Sequence, residues 1–418
     1  MPTPARVLDE ADARRLVGER GFGGVGVGPS GRCRVGVELE WLTVRADDPT
    51  RPADPAAVRQ VSDTVGPLPG GSRVSYEPGG QLELSSPALP GLASCGALSR
   101  DLAALIPALT GAGVALVAVG LWPGEPRDRV VFTPRYGAME AFFDQDGDAG
   151  RTMMRSTAAL QVNIDHGGPD ELERRWQLAH DVGPVLAAAF ANSPFAAGRP
   201  TGWCSSRLAV WSGVDAGRST PVGRGPGRDG WATYALDARV MLVRTSEQQH
   251  VALTDALSFG GWIRDGHQLG WPTVDDLDYH LTTLFPPVRP RGWLELRMID
   301  ALPDPWWRVA VLVSTTLVSN PAVADAVGAA TAPVRDAWDV AARCGLADPG
   351  LARAARTCFA IAIDAASGDD DTRIRDALAE YTDRYVNVAR CPADDLLETY
   401  HRGGSMVPSA EGVVDAWT

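Results

Sequence analysis

Four short segments of this chain alternate apolar side chains with acids, amides or arginine at the two-residue period of a β-strand. In Arg34 to Trp41, Val35, Val37 and Leu39 point one way while Glu38 and Glu40 share the other face. In Tyr76 to Ser86, Glu77 precedes a Pro-Gly-Gly turn, after which Gln81, Glu83 and Ser85 oppose Leu82 and Leu84. In Ala159 to Gly167, Gln161, Asn163 and Asp165 oppose Leu160, Val162 and Ile164; in Arg291 to Asp300, Glu295 and Arg297 oppose Leu294, Leu296 and Met298. Each pattern predicts a strand with one buried and one polar face, and all four fit a single sheet.

Other segments fill in the surroundings. A helical pattern covers Leu8 to Arg20, and an Ala-rich helical tail begins at about Trp306. The uncharged run from Leu102 to Trp122 imitates a membrane span, but Pro107 and the Thr-Gly-Ala-Gly at 110 to 113 interrupt it. It predicts a helix ending near Thr110, a turn, and a buried strand from Val114. The stretch from Gly21 to Gly31 has the glycine spacing of a dinucleotide fingerprint, yet it follows a helix and leads into a strand, the reverse of what that fingerprint needs, so it is expected to be a linker. Ser212 to Gly230 is Gly- and Arg-rich and expected to be a loop. With no internal repeat and no regular βαβ alternation, the class is α+β with a largely antiparallel sheet.

Charge narrows the chemistry. The formal net charge of −13 over 418 residues argues against nucleic acid or anionic lipid as the main partner. There is no lysine, so all 39 basic residues are arginine; a P-loop lysine and a Schiff base are excluded. Phosphate, if bound, must be met by arginine forks, backbone N–H groups or a metal held by carboxylates. The six cysteines form no C-x-x-C pair and the six histidines no H-E-x-x-H, so zinc is not expected. No apolar leader core is visible at the N-terminus, which places the chain in a reducing cytoplasm.

Any one of the four strands could simply turn its polar side to water. Taken together they carry glutamates two residues apart, which repel unless a cation lies between them. Carboxylates and amide oxygens on one face are ligands for hard divalent cations, Mg²⁺ above all where nucleotide phosphate shares the site.

The motifs GVELEW, YEPGGQLELSS, RTMMRSTAALQVNIDHG, FANSPFAAGRPTGWCSSRLAVW and HLTTLFPPVRPRGWLELRMID occur in order between about Arg34 and Pro303. In them the chain resembles the glutamate–cysteine ligases, specifically the plant-like group that includes actinobacterial enzymes of ergothioneine biosynthesis. The resemblance implies a six-stranded, mostly antiparallel sheet whose concave face is the active site, flanked by helices as in glutamine synthetase and the guanido kinases. It implies one catalytic domain, 1–418, with a helix and linker at 1–33, a sheet-bearing core at 34–303 and a helical part at 304–418. It implies ATP and Mg²⁺, with Glu38, Glu40, Glu77, Glu83, Gln161 and Glu295 as metal ligands and Arg297 and Glu295 as the catalytic pair. Arg297 and Arg218 would meet the nucleotide phosphates; Arg207, Arg155 and Asn163 would bind glutamate. The expected reaction joins the glutamate γ-carboxyl to the cysteine amine through γ-glutamyl phosphate, in a monomer. A related ligase with another amine acceptor, and a non-catalytic binding protein on the same fold, remain alternatives. The plant enzymes' regulatory cysteines have no clear counterpart.

Overall fold

The computed structural model describes residues 8–23, 33–223, 225–246, 249–366 and 372–408. The linker expected at Gly21 to Gly31 lies, from residue 24 on, outside the described residues.

Eight strands form the main sheet: β1 (Arg34–Arg45), β2 (Arg73–Tyr76), β3 (Leu82–Ser85), β4 (Leu89–Pro90), β5 (Val114–Val117), β6 (Ala159–Ile164), β7 (Val288–Pro290) and β8 (Leu294–Asp300). Six of them run in the antiparallel order β7-β8-β6-β1-β3-β2, which is the expected six-stranded path. Two shorter strands lie off this path and pair with the two ends of β1: β4, which was not expected, and β5. The decoy at 102–122 resolves as predicted, into a helix at Ala93–Gly111 and the strand β5.

The alternation decides which face is buried. Val35, Val37, Leu160, Val162, Leu294 and Leu296 are fully buried. They form the sheet's inner face, with helices Gly183–Ala189 and Trp306–Ser319 packed on β8 and β6. Helix Trp306–Ser319 is apolar around most of its circumference because it is covered on most sides. No single helix among the described residues is long and apolar enough to cross a membrane.

Register then assembles the opposite face. Glu38 stands opposite Gln161 on one side and Ser85 on the other; Glu40 opposes Glu83, and Glu295 opposes Asn163. Between β8 and β6 the register slips: Leu296 faces Val162, but Ile299 faces Leu160. One extra residue is therefore inserted at Arg297–Met298, a β-bulge that re-aims the side chains beyond it. The turn from Glu77 to Gln81 needs its glycines. Gly80 has φ +82°, and a Cβ on Gly79 would lie 1.9 Å from the Arg155 carbonyl oxygen.

The stretch from Ser212 to Gly230 is more ordered than expected. It holds a short helix at Ala216–Ser219, capped by Asp215 accepting from the Gly217 N–H, and the start of a helix at Gly227–Asp237.

Candidate functional site

The polar face of the sheet lines a cleft of about 300 Å³. Glu38, Glu40, Glu77, Glu83 and Gln161 border it, together with six arginines: Arg73, Arg135, Arg207, Arg289, Arg291 and Arg297. Hydrogen bonds tie the strand residues into one network. Glu40 accepts from the Ala159 N–H at 2.8 Å and from Gln161 Nε2 at 2.9 Å, while Asn163 Nδ2 donates to Glu38 at 3.0 Å. Arg297 donates to Gln161 Oε1 and, at 3.1 Å, to Glu295. Its guanidinium lies 5.6 Å from the centre of the Trp211 ring.

Burial, with like charges crowded around them, shifts three of the carboxylates upward. Burial, then Glu295 and Glu83, raise Glu38 to about 7. Burial, then Glu77 and Glu83, raise Glu40 to about 8; burial, then Glu83, raises Glu77 to about 7. Glu295 goes the other way. Burial disfavours its charge, but Arg289 and Arg297 outweigh that and hold it well below the usual carboxylate range. Arg297 in turn resists the lowering effect of burial because Glu295, Glu40 and Glu38 surround it, and it stays above the usual arginine value.

A group of oxygen donors whose charges are mutually unfavourable fits a hard divalent cation, which would relieve the repulsion. Among the described residues no three His, Cys, Asp or Glu side chains close into a metal cage. That is compatible with Mg²⁺, which keeps several waters and takes only one or two carboxylates when phosphate oxygens complete its shell.

Next to the cleft, and sharing Arg207, Trp211, Phe285 and Arg297 with it, is a second pocket of about 190 Å³ walled by Trp203, Met298 and Trp338. Arg207 stands at the junction. It is 2% exposed, and among the described residues its Nε and Nη1 make no hydrogen bond, as is also true of Trp211 Nε1. Buried donors without a hydrogen bond are costly, and the carboxylate facing Arg207 Nη1 is that of Asp300, with Oδ1 at 3.6 Å.

The family profile for glutamate–cysteine ligase family 2 matches residues 34–413. The chain belongs to glutamate–cysteine ligase family 2. It is 43% identical over 414 residues to the glutamate–cysteine ligase EgtA of Mycobacterium tuberculosis (strain H37Rv), covering 96% of this chain and 93% of that one. It is 29% identical over 268 residues to a chloroplastic glutamate–cysteine ligase of Medicago truncatula, covering 61% of this chain and 51% of the plant protein. In fold it is similar to the crystal structure of a glutamate–cysteine ligase from Francisella tularensis in complex with AMP. The TM-score is 0.51 at 12% identity, over 91% of this chain and 86% of that one.

Within this member of glutamate–cysteine ligase family 2, the structure brings Glu38, Glu40, Glu77, Glu83, Gln161, Arg207 and Arg297 to one cleft. It treats four other expected site residues differently. Glu295 is fully buried and does not border the cleft; Arg289 grips it in a fork at 2.5 and 3.0 Å, and Arg291 and Arg297 stand beside it. Arg155 points to Glu140, at 2.6 Å, because its helix, Ala149–Ser156, turns it away from the sheet. Arg218 is fully buried, with Nε on Asp215, Nη1 on the Thr283 carbonyl and Nη2 on the Arg239 carbonyl, and it does not border the cleft. Asn163 lies beyond Glu38 at the end of the face, accepting from Trp293 Nε1 at 2.9 Å.

Other residues at the cleft were not anticipated. Arg289 sits on a three-residue strand that ends in proline, too short for alternation to register. Arg73 and Arg135 stand outside the four polar strand faces, on an edge strand and a helix. Trp203 and Trp211 wall the pocket beside Arg207.

Proposed function

We propose that this chain joins the γ-carboxyl of L-glutamate to the amine of L-cysteine, with ATP converted to ADP and phosphate by way of γ-glutamyl phosphate. The observation that carries the reading is Arg207, a buried cation at the junction of cleft and pocket, placed beside Arg297 and a row of crowded glutamates. The first element suits a substrate carboxylate and the second a phosphoryl group.

A free carboxylate does not condense with an amine in water, so one of its oxygens must first be made a leaving group. The γ-carboxylate attacks the γ-phosphorus of ATP and ADP departs; the amine then attacks the γ-carbonyl, loses a proton, and expels phosphate with one carboxyl oxygen. Glu38, Glu40, Glu77, Glu83 and Gln161 would hold Mg²⁺, which supplies neutralisation of the phosphoryl charge. Arg297, held by Glu295 and Gln161, presents a fixed fork to the charge that develops on the transferring group. Arg207 takes the glutamate carboxylate through its guanidinium, a planar recognition that a lysine would not reproduce. The aromatic pocket beyond Arg207 excludes water from the acyl phosphate.

We further place the protein in a reducing cytoplasm, where its six free cysteines stay reduced. We place its product in ergothioneine biosynthesis, and treat the monomer as the active unit because one chain supplies the whole cleft. ADP release from Mg-ATP and glutamate across a panel of amines tests the acceptor. Release that depends on cysteine supports the proposal; faster release with another amine, and none with cysteine, rules it out.

A further inference from the structure

Asp300 closes β8, is 1% exposed, and was no part of the expected site. Strict alternation would set it on the buried face with Leu294, Leu296 and Met298. The extra residue at Arg297–Met298 reverses this, pairing Ile299 with Leu160 and Asp300 with Ala159, on the face that also carries Gln161 and Arg297. There its Oδ2 accepts from the Asn192 N–H at 2.8 Å and Ser193 Oγ at 2.7 Å, and its Oδ1 accepts from Ser205 Oγ at 2.9 Å. Oδ1 also faces Arg207 Nη1 at 3.6 Å. The hydrogen bond that Arg207's guanidinium makes is from Nη2 to the Arg297 carbonyl, at 2.8 Å.

We infer that Asp300 is a positioning residue for substrate carboxylate recognition, holding the buried Arg207 guanidinium in place at the junction of cleft and pocket. The inference rests on the proposed role of Arg207. Three donors fix the carboxylate in one orientation, and the Arg297 carbonyl fixes the other side of the guanidinium, so a single bulged strand sets both the arginine that faces phosphate and the mount of the arginine that faces glutamate. There is no slack in the mount: a Cβ on Gly120 would lie 2.3 Å from Asp300 Cγ. Asparagine at 300 would keep an acceptor for Asn192 and Ser193 but turn an N–H₂ toward Arg207, removing the charge and opposing the donor.

Steady-state kinetics of Asp300→Asn, Arg207→Lys and the double variant test this. Loss of one charge-assisted contact is expected to raise the KM for glutamate ~10-fold in Asp300→Asn, with the KM for ATP within ~2-fold of wild type. In the Arg207→Lys background the same substitution should add less than ~2-fold, because residues acting through one another are not additive. A purely structural role would lower the melting temperature and leave the KM of the folded fraction alone. An unchanged glutamate KM, equal rises for glutamate and ATP, or effects that multiply in the double variant would overturn the inference while leaving Arg207 in place. An Arg207→Lys protein with unchanged glutamate kinetics would overturn the role of Arg207 itself, and this inference with it. Should Asp300→Asn not fold, Ser205→Ala removes one bond to Oδ1 and keeps the charge; a ~2- to 5-fold rise in glutamate KM, absent in the Arg207→Lys background, is then expected, and no rise overturns the inference.

Discussion

Glu77 offers the sharpest test of the idea that the cleft is built to hold a cation. Among the described residues its carboxylate has no hydrogen bond and no ion pair, and burial and Glu83 raise it from 4.5 to about 7. At 1.36 kcal/mol per pH unit that rise amounts to ~3 kcal/mol, taken as a ceiling because the cleft admits solvent. The sign follows from linkage. The folded protein holds this proton more tightly than the unfolded chain, so the favourable contribution is complete below pH 4.5 and is lost as pH rises through about 7. Glutamine cannot ionise. Glu77→Gln should therefore match wild type near pH 4.5 and exceed it at pH 8 by up to ~3 kcal/mol. Unfolding entropy of ~2.1 cal/mol/K per residue over 418 residues converts this to a gain of ~3 to 4 °C. Thermal melts between pH 5 and 8, without metal or nucleotide, read it directly. With Mg-ATP the order should reverse, since wild type gains a ligand that the variant has lost. A Glu77→Gln protein with wild-type melting temperature at pH 8, or with an unaltered pH slope, would refute the reasoning.

Two further outcomes are expected. Glu38→Ala and Glu83→Ala should each lower turnover at limiting Mg²⁺ by at least ~100-fold while leaving the fold intact, because each removes an oxygen donor rather than a packing group; near-normal turnover in both would show that the acidic row is not the metal site. Arg218→Met should lower the melting temperature by several degrees, because it leaves Asp215 with Arg239 alone as its ion-pair partner and the Thr283 and Arg239 carbonyls without their donor, yet keep the KM for ATP and glutamate within ~2-fold; a large ATP defect at unchanged stability would return Arg218 to the phosphates.

The legible part of the site was the part encoded by alternation. Glu38 and Glu40 on β1, Glu83 on β3 and Gln161 on β6 face one way because period two leaves them no choice once Val37, Leu39, Leu84 and Val162 are buried. What periodicity cannot convey is a break in itself. The bulge after Leu296 was invisible, and with it the transfer of Asp300 to the cleft face. Arginines were the other blind spot, because a guanidinium reaches far enough for its partner to decide its role. Arg155 and Arg218 belong to Glu140 and Asp215, whereas Arg289, on a strand of three residues, sets the charge of Glu295. Glu295 was legible as a residue of the polar face, but no pattern in β8 alone shows that Arg289, Arg291 and Arg297 all reach it.

The central claim is that the γ-carboxylate of glutamate is phosphorylated before the amine arrives, and transfer of oxygen measures it most directly. Glutamate carrying ¹⁸O in its γ-carboxyl is turned over with ATP, Mg²⁺ and cysteine, and the inorganic phosphate is analysed by mass. The account predicts one ¹⁸O in each phosphate released, with ADP as the nucleotide product. Unlabelled phosphate from a reaction that makes γ-glutamylcysteine, or AMP bearing the label, would contradict it.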